Sequence, residues 1–218
     1  MPRLLFEKTG NAVYISHLDL MRLFQRAFKR AGLSLTHTHG FNPRPSVSIA
    51  LPMSVGVESK CELLDFDLEG EKVPCEEILR RLNEVLVDGV WGLQVYEDGG
   101  KIKNLSYLDC LVTMKYDRPI PEDAARQIEE LFQGEEILVE KKSKNGITEQ
   151  NITPMIRRLT VEKGEGQLVV AARVCCQNPT LNPAQLVVAV EKYLPELKPD
   201  FSKCARLEIY DTEETIFR

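Results

Sequence analysis

The chain has 218 residues, 43% of them hydrophobic and 28% charged, with a formal net charge of −5. That length allows one large domain or two small ones, and the composition is that of an ordinary globular protein with a real core. No apolar stretch approaches the roughly 18 residues that cross a bilayer, and Met1-Pro2-Arg3 leads straight into a strand-like run without a secretory core. A cytoplasmic protein with no membrane partner is expected.

Leu4 to Lys8 reads as a strand closed by a Thr9-Gly10-Asn11 turn. Ser16 is a good helix N-cap with Asp19 three residues on. The helix that follows places Leu20, Leu23, Phe24, Ala27 and Ala31 along one apolar side and stops at Gly32. Leu33 to His39 alternates as a strand, and Gly40-Phe41-Asn42-Pro43-Arg44-Pro45-Ser46 is a loop whose prolines force extended backbone. Val47–Leu51 and Glu62–Glu69 are strand-like, Pro74 opens a helix carrying Ile78, Leu79, Leu82 and Leu86, and Trp91–Tyr96 is a further strand.

After the Gly99-Gly100-Lys101 linker the plan repeats. Leu108–Tyr116 is a strand, Pro121–Phe132 a helix, and Glu136–Lys142 and Gln167–Val174 are strands. Asn182-Pro183 starts a helix to Leu194, and Arg206–Tyr210 closes the set. The order predicts an α+β protein of two tandem ferredoxin-like (βαββαβ) halves with antiparallel sheets, residues 1–100 and 101–218.

Charge is unevenly spread. Residues 1–60 carry 8 Lys/Arg against 3 Asp/Glu, whereas residues 61–218 carry 20 against 30. An anion-facing surface on an acidic body is the implication. Arg22, Arg26 and Lys29 lie at i, i+4, i+7 on the first helix, with Arg30 beside them, so they share one stripe suited to phosphate. In the loop, Gly40 permits close backbone approach, while Phe41, Asn42, Arg44 and Ser46 are presented on a proline-stiffened frame. His37 and His39 would project from one strand face. With His17 they would make a three-histidine metal site, but no carboxylate or cysteine stands at ligand spacing, so no metal is expected. Gly56 between two valines marks a bulge or a close backbone contact, with Glu58 just beyond it. Asp65, Asp67 and Glu69 read as a solvated strand face. Lys141, Lys142 and Lys144, the Asn145-Gly146 turn, and Arg157 and Arg158 read as an exposed charged excursion.

The six cysteines (61, 75, 110, 175, 176 and 204) include no C-x-x-C pair, so the spacings of zinc, haem and thioredoxin-like sites are absent, as is the three-cysteine cluster motif of a radical-SAM enzyme. Buried free thiols are expected. No catalytic motif and no cofactor site is recognisable.

Over Ile15-Ser16-His17-Leu18-Asp19-Leu20-Met21-Arg22, Gly40 to Ser46, Leu51-Pro52 and Gly56-Val57-Glu58-Ser59, the chain resembles the bacterial radical-SAM-associated (radical-SAM-linked) proteins of unknown function. The likeness runs the length of the chain and is sharpest over residues 3–60; it departs at Asn151, where that pattern has an acidic residue. The resemblance implies an accessory role, binding or presenting a substrate to a radical-SAM enzyme on a separate chain. RNA, or an RNA-linked molecule, is the candidate substrate. The expected contacts are His17, Arg22, Arg26, His37, His39, Gly40, Phe41, Asn42, Arg44, Ser46 and Glu58. The alternative is a stand-alone RNA-processing endonuclease of tandem ferredoxin-like type, with His17, His37 or His39 as general base. Such enzymes carry a glycine-rich loop near the C-terminus, and residues 175–218 contain no glycine.

Overall fold

Residues 1–143 and 146–218 are described by a computed structural model, in which the chain divides into two units, residues 1–102 with Arg218 and residues 103–217. Both units are α+β with antiparallel strands. The first runs β1 (Arg3–Lys8), α1 (His17–Arg30), β2 (Val47–Ile49), β3 (Val57–Phe66), α2 (Cys75–Asn83) and β4 (Val90–Tyr96). Within it β1 lies between β4 and β3, and β2 pairs with β3, every neighbour antiparallel.

The core of this unit follows from two periodicities. On β1, Leu4 and Phe6 point to the helices; on α1, Leu20, Phe24, Ala27 and Phe28 recur on one side, all fully buried. Phe6 meets Phe24 edge-on at 4.7 Å between centroids, and Phe28 meets Phe66 at 4.8 Å. Burying each of these side chains stabilises the unit by about 1.5–3 kcal/mol, so the inward face of α1 is fixed and its basic residues must face outward. Ser16 caps the helix, accepting from the Asp19 amide at 3.2 Å. At the other end Leu33 N donates to Phe28 O (2.9 Å) and Gly32 N to Lys29 O (3.2 Å), with Gly32 at φ +67. That is a Schellman stop, which favours glycine at this position.

The edge strand β4 is interrupted at Gly92, where the register with β1 shifts. The Asn83 carboxamide fills the gap, donating to Gly92 O (2.9 Å) and accepting from Gly92 N (2.8 Å). A side chain thus takes the place of a neighbouring strand and blunts that part of the edge.

The second unit runs β5 (Leu105–Lys115), α3 (Ala124–Phe132), β6 (Leu138–Ser143), β7 (Gly146–Asn151), β8 (Ile156–Gly164), β9 (Gln167–Cys175), α4 (Ala184–Tyr193) and β10 (Phe201–Asp211). Its sheet has the order β10-β5-β9-β8, all antiparallel, and β6 pairs with β7 as a separate hairpin. The even residues Leu108, Cys110, Val112 and Met114 of β5 are buried, as are Ile128 and Phe132 of α3 and Leu186, Ala189 and Val190 of α4.

Three segments differ from the sequence reading. Leu33–His39 is not a regular strand: it makes only the isolated bridges Leu35–Leu68 and His37–Pro45. A proline opposite His37 has no N–H to give, so a ladder cannot continue there. Glu136–Lys142 is in large part strand, as β6, but belongs to the hairpin and not to the four-stranded sheet. The place expected for it is taken by β8, whose Arg157 and Arg158 read in isolation as an exposed excursion. Only Val161 of β8 is buried, so this edge strand lacks the alternation that would announce it. Lys144 and Asn145 lie outside the described residues, as do the side chains of Lys141 and Lys142.

Candidate functional site

The outward face of α1 forms one wall of a groove of about 810 Å³ lined by Ile15, Asp19, Arg22, Leu23, Arg26, Lys29, Arg30 and Val87. Two structural contacts shape it. The fully buried Lys8 donates from Nζ to the Ile15 carbonyl at 2.9 Å, tying the segment before α1 to the end of β1. Arg30 donates from Nη2 to the Val85 carbonyl, which holds the turn after α2 against the helix and brings Val87 to the groove. Ile15, Leu23 and Val87 make its apolar lining.

Four cations face one carboxylate in this groove. Asp19 is not a free acid: the Ser16 hydroxyl and then the Arg22 guanidinium hold its carboxyl below the ordinary value, with Ser16 Oγ at 2.7 Å and Arg22 Nη1 at 2.9 Å. Arg30 is engaged with the Val85 carbonyl. Arg26 and Lys29 are exposed and, among the described residues, their side chains make no hydrogen bond or ion pair, although the Arg26 charge helps to hold the Asp19 carboxyl down. Their donors are therefore open to an anion, and their spacing along the helix, about 4.5 Å of rise for three residues, sets successive positive charges along a line.

Lys29 also lines a second groove, of about 430 Å³, with Gln25, Gly32, Leu33, Ser34, Leu35, His37, Pro45 and Glu69. His37 Nδ1 stands 3.8 Å from Glu69 Oε1, both side chains about half exposed. His37 and Pro45 form the base of the loop. Thr38 N donates to Arg44 O (2.8 Å), Arg44 N donates to Thr38 Oγ1 (3.0 Å), and Ser46 N donates to Thr36 O (2.8 Å). The neck is thus closed by backbone bonds and two prolines, while every residue from Thr38 to Arg44 is exposed. Gly40 takes φ +135, a conformation open to glycine. Phe41 is 106% exposed, and the Arg44 side chain has no partner among the described residues.

Arg22, Arg26, His37 and the loop carrying Gly40, Phe41, Asn42, Arg44 and Ser46 therefore share one region of the first unit, joined through Lys29. His39 is exposed on the loop. His17 opens α1, and its Nδ1 has no hydrogen-bond partner among the described residues. Glu58 lies on β3 and lines neither groove. The carboxylates after it are separately engaged: Asp65 with Arg3 at 2.5 Å, Asp67 with the Thr36 hydroxyl at 3.1 Å, and Glu69 beside His37. Among the described residues no group of three His, Cys, Asp or Glu is placed to hold a metal.

The part of Ile15, Leu23 and Val87 in lining the groove is not legible in the sequence. Val87 in particular sits far along the chain, and only the contact of Arg30 with the turn after α2 brings it there.

Residues 2–183 match the model of a family described as "Uncharacterized protein conserved in bacteria (DUF2344)". The chain belongs to that family. A search of curated proteins gave no match. Among solved structures, the chain is similar to one in "Crystal Structure of a Cbf5-Nop10-Gar1 Complex", with a TM-score of 0.53 and 10% identity over 95% of this chain and 48% of that one. This member of the DUF2344 family thus spans about half the length of that chain, and at such identity the likeness is one of fold alone. No helix among the described residues is long and apolar enough to cross a membrane.

Proposed function

We propose that this protein is an accessory binding module, built as two tandem ferredoxin-like halves, that holds RNA or an RNA-linked substrate for a partner radical-SAM enzyme. The strand orders support the architecture: β4-β1-β3-β2 and β10-β5-β9-β8 follow one βαββαβ plan, the second with the β6–β7 hairpin inserted after its first helix. The radical-SAM partner rests on the resemblance of residues 15–22, 40–46, 51–52 and 56–59 to the radical-SAM-linked proteins. The binding role rests chiefly on the α1 groove, where the Arg26 and Lys29 donors have no partner among the described residues and an apolar lining lies beside them. Open cations in a concavity suit phosphate, and contacts of this kind fix position without reading sequence.

The test is fluorescence anisotropy with a labelled 12-nucleotide RNA titrated across a salt series. The wild type is expected to bind with an affinity that falls steeply with salt. The triple variant Arg22→Ala, Arg26→Ala, Lys29→Ala is expected to reduce the log–log salt slope by about 2, since each lost single-strand phosphate contact removes about 0.7. Absence of binding at low salt, or an unchanged slope, contradicts the proposal. RNA recovered cleaved from the same incubations, with loss of cleavage in His37→Ala, would favour the endonuclease reading instead.

A further inference from the structure

Two exposed aromatic side chains flank the basic helix α1 along the chain. Tyr14, 71% exposed, immediately precedes Ile15 of the first groove. Phe41, 106% exposed, stands on the loop whose base, His37 and Pro45, lines the second groove together with Lys29. Between them runs α1, whose 14 residues rise about 21 Å, presenting Arg22, Arg26 and Lys29 in order. Neither ring is part of the core, and both belong to segments held by backbone bonds. Gly56 N donates to Val13 O at 2.8 Å beside Tyr14, and the Thr38–Arg44 pair closes the loop under Phe41.

An aromatic, a line of cations and a second aromatic form the pattern that binds a single strand: phosphates track the cations while unpaired bases stack on the rings. A duplex already stacks both faces of each base on its neighbours and offers none to Phe41. A membrane would be met by one contiguous apolar face, whereas here Arg22, Arg26 and Lys29 lie between the two aromatics along the chain. We infer that the ligand of this face is a single-stranded nucleic acid, with unpaired bases stacked on Tyr14 and Phe41 and the intervening phosphates on Arg22, Arg26 and Lys29. This rests on the RNA-binding reading above and adds to it strandedness and two stacking residues that lie outside the groove linings.

The experiment compares three labelled probes of equal length: a 12-nucleotide single-stranded RNA, the same strand in a duplex with its complement, and a 12-unit abasic oligonucleotide. Each is titrated with wild type, Tyr14→Ala, Phe41→Ala and Phe41→Trp, with thermal melts alongside. The single strand is expected to bind at least about tenfold more tightly than either control. Tyr14→Ala and Phe41→Ala should each weaken it about fivefold or more while leaving the abasic probe, the melts and the salt slope unchanged. Phe41→Trp should retain wild-type affinity. Duplex or abasic probe bound as tightly as the single strand, or alanine variants that bind it as wild type does, overturns the stacking inference while leaving the basic groove in place. Failure of all three probes to bind removes the RNA reading itself. Sedimentation with phosphatidylserine vesicles that is lost in Phe41→Ala would assign the face to a membrane surface and overturn both.

Discussion

Asp109 and Arg173 stand opposite each other on β5 and β9, the guanidinium gripping both carboxylate oxygens, Nε to Oδ1 at 2.7 Å and Nη2 to Oδ2 at 2.9 Å. Arg3 and Asp65 hold the same relation on β1 and β3, with the signs exchanged between the strands. A bidentate pair therefore joins β1 to β3 in the first unit and β5 to β9 in the second. Arg173 also donates to Glu214 at 2.7 Å and lies 3.6 Å from the Tyr210 ring centroid, with only 7% of its side chain exposed.

Removing one member of such a buried pair leaves an uncompensated charge, which costs about 3–5 kcal/mol. Arg158 Nη2 still reaches Asp109 at 2.8 Å, so Arg173→Met is expected at the lower end, about 3 kcal/mol. Urea denaturation measures it, and a loss under about 1 kcal/mol would place the network among weak surface pairs.

The same pair sets an acid dependence. Burial pushes the Asp109 carboxyl up, but hydrogen bonds from Arg173 and Tyr210 and the charges of Arg173 and Arg158 outweigh it and hold the group below its ordinary value. A carboxyl depressed in the folded state binds fewer protons there than when unfolded. Its contribution is therefore complete above about pH 4 and is lost as pH falls through the folded value. Asp109→Asn should lower stability at neutral pH and flatten the acid limb below about pH 4. Stability-versus-pH curves that differ by a constant offset would show that Asp109 is not the titrating group.

Gly32 and Gly89 both have positive φ, +67 and +80, but differ in space. A Cβ on Gly32 meets nothing within 4 Å, whereas one on Gly89 would come 2.4 Å from the Thr9 backbone oxygen. Thr9 cannot withdraw, because its amide donates to Gly89 O at 2.7 Å. Gly32→Ala should cost about 1 kcal/mol for the left-handed backbone alone. Gly89→Ala should cost clearly more, by at least about a further 1 kcal/mol from the overlap. Equal losses in paired thermal melts would contradict this.

Arg44 is held by its backbone, and its guanidinium has no partner among the described residues. Arg44→Lys keeps the charge but loses the planar fork that meets phosphate with two bonds. It should weaken RNA binding by about 1–3 kcal/mol, the range for a charge-assisted bond, with the melting curve unchanged. Wild-type affinity would remove Arg44 from the site. Unfolding would make it a structural residue.

The basic face was legible because a helix makes its faces periodic: once Leu20, Phe24, Ala27 and Phe28 are buried, Arg22, Arg26 and Lys29 must be exposed. The α1 stop at Gly32 and the stiff loop with its two prolines were legible for the same local reason. What the sequence hid depends on partners distant in the chain. The Arg30–Val85 contact builds a groove wall from a turn some fifty residues away. The edge strand β8 buries only Val161 and so resembles a charged loop, while β6, with buried Val139, reads as a strand whose sheet no local pattern names. Leu33–His39 alternates well enough, but Pro45 opposite His37 has no N–H with which to continue a ladder.

Hydrogen–deuterium exchange in the absence and presence of saturating 12-nucleotide single-stranded RNA tests the binding face most directly. Added protection is expected in peptides covering residues 13–30 and 36–46, and none in those covering 156–175. Protection confined to the second unit, or no change anywhere at a concentration where anisotropy shows binding, would contradict the proposal.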